Sequence, residues 1–187
     1  MASSDDPKLD ELARLAQGGD RQAFGDLMRR LMNPVMALTY RMTGDRDAAS
    51  DLAQETFVRA WREIGQYKGE GPVRSWIWKI AATRSLNYIE SRSTRVRLEA
   101  NAAPDEIYDT PGAHRELEQE ELRKGMLKFL ETLPPQQRLA FDLRFYQQLS
   151  FEEMSVVMER ALGTVKTLYR EAVEKLRRHA VAEGWRS

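Results

Sequence analysis

The stretch GTVKTLYR, residues 163–170, places Lys166 and Arg170 one helical turn apart, directly after a glycine and a threonine. Those residue types in that order suit contact with nucleic acid. The first turn of a helix leaves N–H groups unpaired and carries partial positive charge, both of which attract phosphate. Gly163 allows close backbone approach, and Thr164 can cap the helix and touch phosphate. Lysine and arginine reach guanine acceptors, and a threonine such as Thr167 bonds to several base edges. Arg160 stands in the turn just before. A short apolar-periodic run, 151–158, precedes that turn, so the spacing predicts a helix-turn-helix whose second helix, 163–178, enters the major groove. The plainer alternative is an amphipathic hairpin in a helical bundle.

A second set lies in residues 67–92. Tyr67, Trp76 and Trp78 supply π-faces, GQYKGEGP (65–72) is a loop rich in glycine, and cations surround it. Single strands bind where aromatic faces and backbone-tracking cations occur together, and an extruded base needs a pocket. Trp76 and Ile80 read as core, and Trp78 fits either role. The candidates for strand contact are therefore Lys68, Gly69, Arg74, Arg84, Asn87 and Arg92. A third set, Asp51, Gln54 and Glu55, falls at i, i+3 and i+4, on the helix face opposite Leu52 and Phe57. A compact acid-and-amide face suits docking to a basic or polar helical partner.

Catalytic chemistry is not indicated. The only histidines are His114 and His179, in no metal-ligand or base–nucleophile spacing, and there is no cysteine. GEGP lacks the Lys-Ser/Thr that grips phosphates in a P-loop. Asp45, Asp47 and Asp51 read as a solvated or partner-facing helix surface, not a cation site. The expectation is a protein that is not an enzyme and needs no cofactor or metal.

These groups must be positioned by helices. Apolar residues recur with helical spacing at Leu9–Ala16, Phe24–Met32, Val35–Met42 and Ala49–Ile64. Pro34 either kinks the second helix or begins the next, and Gly44-Asp45 reads as a stop followed by an N-cap. A helix from Val73 or Arg74 carries Trp76, Ile77, Ile80 and Ala81 inward and fades near Arg92. Residues 93–112 are weakly periodic and read as a linker. Beyond it come helices 115–131 and 135–147, the latter burying Leu139, Phe141 or Leu143, and Phe145. No run alternates long enough for a strand. The expected fold is all-α: two small helical domains, 1–95 and 113–187, joined by a flexible linker, 96–112.

Net charge is zero over 187 residues, but its distribution is uneven. Residues 67–98 hold seven Lys/Arg against two acids, 99–121 eight acids against Arg115, and 122–187 twelve Lys/Arg against eight acids. Two basic blocks thus flank an acidic one. The opening MASSDDPKLDELARLAQ has no signal-peptide core, and no stretch approaches a membrane span. Both features lead us to expect a cytoplasmic protein with no membrane insertion.

The segment LETLPPQQRLAFDLRFYQQLSFEEMSVVMERALGTVKTLYREAVEKLRR resembles the C-terminal DNA-binding domain of bacterial extracytoplasmic-function sigma factors, members of the sigma-70 superfamily. The matching residues are Leu133-Pro134, Arg138, Leu143-Arg144, Leu149-Ser150, Glu152-Glu153 and Gly163-Thr164-Val165-Lys166. DRDAASDLAQETFVRAWREIGQYKGEGPVRSWIWKIAATRSLNYIESRSTR resembles the promoter-melting domain of the same group, with its Asp-Leu-x-Gln-Glu-x-Phe pattern, Gly loop and Trp-led helix. The resemblance implies docking of Asp51, Gln54 and Glu55 on the β′ clamp helices of core RNA polymerase, whose β subunit is a further partner. It also implies capture of minus-ten bases by the loop and the helix after it, and minus-thirty-five recognition by 163–178. An anti-sigma factor is implied as a regulator. The chain departs from the pattern at Thr83, where asparagine is frequent, and at Leu168 and Glu171, where arginine is frequent. Promoter class therefore does not carry over. The rivals are a stand-alone helix-turn-helix regulator, which has no use for the 51–55 face, and a protein-binding helical adaptor.

Overall fold

The computed structural model describes residues 7–98 and 124–184. The first half consists of α1 (Pro7–Gln17), α2 (Arg21–Thr43), α3 (Arg46–Glu63), a single 3₁₀ turn (Ile64–Gln66) and α4 (Val73–Leu98). The second half consists of α5 (residues 124–132), α6 (Pro135–Phe145), α7 (Phe151–Met158) and α8 (Leu162–Ala182). No strand occurs among the described residues, so the fold is all-α.

Local chemistry sets most of the boundaries. Asp20 accepts from the N–H groups of Gln22 and Ala23 and starts α2. Gly44 closes α2 in the left-handed region (φ 71°), its N–H bonded to Tyr40 O at 2.8 Å. Asp45 then caps α3 through Asp47 and Ala48. Pro34 neither starts nor ends a helix: α2 passes through it, because Leu31, Val35 and Leu38 are all buried and packing carries the chain past the missing hydrogen bond. α4 continues past Arg92 to Leu98. The expected linker residues 99–112, and residues 115–123 of the expected helix 115–131, lie outside the described residues. Phe145 is 53% exposed rather than buried. It sits in the last turn of α6, stacks on Phe141 at 5.1 Å between centroids and leaves its outer face in solvent.

The two halves share one core. Leu27, Leu38, Ile77, Trp78 and Ala81 of the first half belong to the same buried cluster as Leu139, Leu143, Leu149, Met154, Val157 and Val165 of the second. A smaller cluster, Phe129, Leu130, Leu133, Phe141 and Ala172, is internal to the second half. Charges on the seam are paired, as burial demands. Arg41 forms a two-point ion pair with Asp142, Nη2–Oδ1 at 3.3 Å, and the Asp142 side chain is 1% exposed. Gln147 donates to the same carboxylate at 3.1 Å. The Arg138 guanidinium donates to Met42 O and to Glu131 O. Among the described residues no helix is long and apolar enough to cross a membrane.

Candidate nucleic-acid interface

The helix-turn-helix is built from strong local signals. Ser150 Oγ accepts from the Glu153 N–H at 3.1 Å, while Glu153 Oε2 accepts from the Ser150 N–H at 2.6 Å. This reciprocal pair opens α7. Its signature, Ser-x-x-Glu ahead of an apolar run, stands in the sequence and was passed over there. α7 ends at Glu159, a left-handed residue (φ 52°), and three residues later α8 begins. Val165 and Ala172 of α8 face inward and are fully buried.

That packing turns the other face of α8 outward. Arg160, Gly163, Thr164, Lys166, Thr167 and Arg170 are all exposed. Thr164 does not cap the helix: α8 begins at Leu162, the residue before it is Ala161, and no side chain caps that end. Thr164 therefore lies inside the first turn, and the leading N–H groups stay open beside it. Lys166 Nζ lies 5.7 Å from the Phe151 ring.

The loop-and-α4 set is arranged differently. Lys68 and Gly69 (φ 72°) are exposed in the loop, and so are Asn87 and Arg92 farther along α4. Trp78 is fully buried and has no face for a base, while Trp76 packs on Tyr67 with centroids 5.5 Å apart. Four α4 cations among the described side chains are engaged by other parts of the protein. Arg74 donates to Gln147 O of the second half at 3.0 Å, and burial pulls its pKa down from the usual guanidinium range. Arg84 pairs with Glu55 at 3.0 Å, Lys79 with Glu159 at 2.7 Å, and Arg92 approaches Asp45 at 3.8 Å. A cleft of about 290 Å³ runs between α4 and the second half, lined by Thr83, Leu86, Asn87, Gln136, Glu159 and Arg160 among others. Members of both cationic sets thus face one groove.

On α3, Asp51, Gln54 and Glu55 are exposed while Leu52, Ala53, Thr56 and Phe57 are buried. The exposed Val58 extends the same face by one turn. Val58 thus adds an apolar patch to a face that its spacing marks only as acid and amide. Asp45 is occupied as a helix cap, and no group of three or more potential metal ligands occurs among the described residues.

Comparison with known proteins interprets this geometry. Residues 27–95 match the Sigma-70 region 2 family and residues 123–176 the Sigma-70, region 4 family. The chain is 30% identical over 174 residues to the ECF RNA polymerase sigma-E factor of Escherichia coli (strain K12), covering 87% of this chain and 91% of that protein. The chain belongs to the ECF sigma factors of the sigma-70 family. The RNA polymerase sigma-H factor of Pseudomonas aeruginosa is 28% identical over 176 residues, covering 88% of this chain and 91% of that protein. Two solved structures share the fold. The sigma factor RpoE in complex with the anti-sigma factor NepR, from Bartonella quintana, has a TM-score of 0.70 at 20% identity, covering 83% of this chain and 95% of that one. CnrH in complex with the cytosolic domain of CnrY gives 0.68 at 21% identity, covering 96% and 99%. This sigma factor is an alternative one, recognising promoter elements for transcription initiation. Its α3 face, loop and α4 as far as residue 95 fall in the region 2 match, and its helix-turn-helix as far as residue 176 falls in the region 4 match.

Proposed function

We propose that this sigma factor docks on core RNA polymerase through Asp51, Gln54 and Glu55, reads the minus-thirty-five duplex with the start of α8, and holds opened minus-ten bases with the loop and α4. The domains are 1–95 and 113–187, joined by 96–112, a segment whose first residues, 96–98, still belong to α4. The observation that carries the reading is the exposed, uncapped start of α8 with Lys166, Thr167 and Arg170 on its outer side. Phosphate and base contact both use that arrangement. Asp51, Gln54 and Glu55 face the β′ clamp helices, and the β subunit is a second contact. The protein itself catalyses nothing and works in the cytoplasm.

On this reading the described arrangement is a resting one. Arg74 is bonded to Gln147, and Asn87 faces Arg160 across the groove. Strand capture by α4 therefore needs the second half to lift away. Two contacts on one chain gain by linkage, so neither needs to be tight alone. The two solved proteins of like fold are bound to NepR and CnrY, which supports an anti-sigma partner here as well. Run-off transcription with core polymerase on a promoter library tests the whole reading. Promoter-specific transcripts that depend on this chain are expected. Tight operator binding without polymerase, and no such transcripts, would instead identify a stand-alone regulator.

A further inference from the structure

α4 has no cap of its own. The residue before it is Pro72, whose side chain has no hydrogen-bond acceptor, yet the first N–H of the helix is satisfied. Val73 N–H donates to Oδ1 of Asp10, 2.7 Å away on α1. The Tyr67 hydroxyl donates to Gly71 O at 2.6 Å and lies 3.4 Å from the same Asp10 oxygen. Two turns further along the same side of α1, the Gln17 amide donates to Ile64 O at 3.1 Å and to Tyr67 O. The loop is thus pinned to α1 at both ends. Gln17 holds its entry and Asp10 its exit, while Lys68, Gly69 and Glu70 stay exposed between them. Gly69 (φ 72°) and Gly71 (φ 88°) give that middle stretch the conformational freedom the anchors remove. α1 lies outside the region 2 match, which begins at residue 27.

We infer that Asp10, seconded by Gln17, is a positioning residue for single-strand capture, fixing from a separate helix the loop that carries Lys68 and Gly69. The inference rests on the reading that this loop takes the minus-ten strand. A glycine-bearing loop that is already ordered gives up less freedom when a strand binds, so the anchor acts on strand affinity without touching the strand. Neither side chain is part of the α3 face or of α8. Leu9, Ala13 and Ala16 hold α1 on the core independently of the two polar anchors.

The test uses holoenzyme assembled with core polymerase and three probes: a labelled single-stranded minus-ten oligonucleotide, a minus-thirty-five duplex, and core polymerase itself. Asp10→Ala should bind the single strand about tenfold more weakly, the scale of one residue's ordering restored to the loop. Its affinities for the duplex and for core should stay within about twofold of the parent. Asp10→Asn, which can still accept from Val73 N–H, should recover most of the loss. Gln17→Ala, a change at an exposed residue, should weaken strand binding by about threefold, and it serves if Asp10→Ala fails to fold. Lys68→Ala is the control. If it binds strand normally, the assignment of the loop is wrong. If it loses strand binding while Asp10→Ala and Gln17→Ala do not, the loop assignment stands and the positioning inference is overturned. An equal loss for strand, duplex and core in the Asp10 and Gln17 variants also overturns it.

Discussion

The start of α8 and the face of α4 are both cationic, but the protein treats them in opposite ways. At the start of α8 Lys166 and Arg170 are exposed and the helix end has no capping side chain. On α4 four positive side chains among those described lie against protein acceptors: Arg74 against Gln147 O, Lys79 against Glu159, Arg84 against Glu55, and Arg92 near Asp45. On the proposed reading, one surface serves a duplex that is always available and the other serves strands that exist only after a promoter opens, with Arg74, Lys79, Arg84 and Arg92 on protein acceptors until then. Zero net charge is therefore no obstacle to binding DNA, because the balance is struck locally, by pairs that can be exchanged.

The largest perturbation should come from the seam that keeps α4 covered. Asp142→Ala strands Arg41 in a nearly closed site and removes a partner of Gln147. A loss of about 3–5 kcal/mol is expected by urea unfolding. A loss below about 1 kcal/mol would mean that the halves are not held by this pair. Next in size, Lys166→Ala should weaken minus-thirty-five duplex binding by holoenzyme by about 1–3 kcal/mol, measured by fluorescence anisotropy, and relax selectivity at one base position. A uniform loss across sequences would make Lys166 a phosphate contact instead.

Smaller effects separate the two surfaces further. Ser150→Ala removes one side of the capping pair and should cost about 1 kcal/mol of stability without changing strand binding by α4. Glu55→Gln breaks a half-exposed pair with Arg84, so the melting curve should move by less than the equivalent of about 1 kcal/mol. Polymerase affinity should fall all the same, read by native-gel competition. The gentlest probe is the Tyr67 phenol, pushed up to about 12 by burial and then by Asp10. A raised pKa means that the folded form holds the proton more tightly. This contribution is fully present below pH about 10 and is lost as pH rises through about 12. An ultraviolet titration of the parent minus Tyr67→Phe should show that late ionisation, and Asp10→Asn should bring it earlier.

Much of this was legible in residue spacing. Gly44-Asp45 marked a helix end and a helix start, the period of 163–178 marked the second helix of the helix-turn-helix, and 51, 54 and 55 fell on one face, because each follows from local geometry. Of the two readings of Pro34, the start of a new helix does not hold, since the buried stripe from Leu31 to Leu38 carries α2 through it. Phe145 misled because periodicity assigns a residue to a face but does not say where the core stops at the end of a helix. Thr164 misled because α8 begins at Leu162, three residues before the start that a Thr164 cap would set. The seam and the Asp10 anchor were not legible at all. Arg41 and Asp142 are 101 positions apart, and Asp10 and Val73 are 63 apart. No local pattern relates residues so distant.

Glu159 shows what the seam asks of the chain. It sits at φ 52°, where a glycine would rest more easily, and its carboxylate reaches Lys79 across the divide. Glu159→Gly would relax the bend and cut that tie in one step. The turn between α7 and α8 would then sit easier by itself, while the whole molecule would spend more of its time ajar.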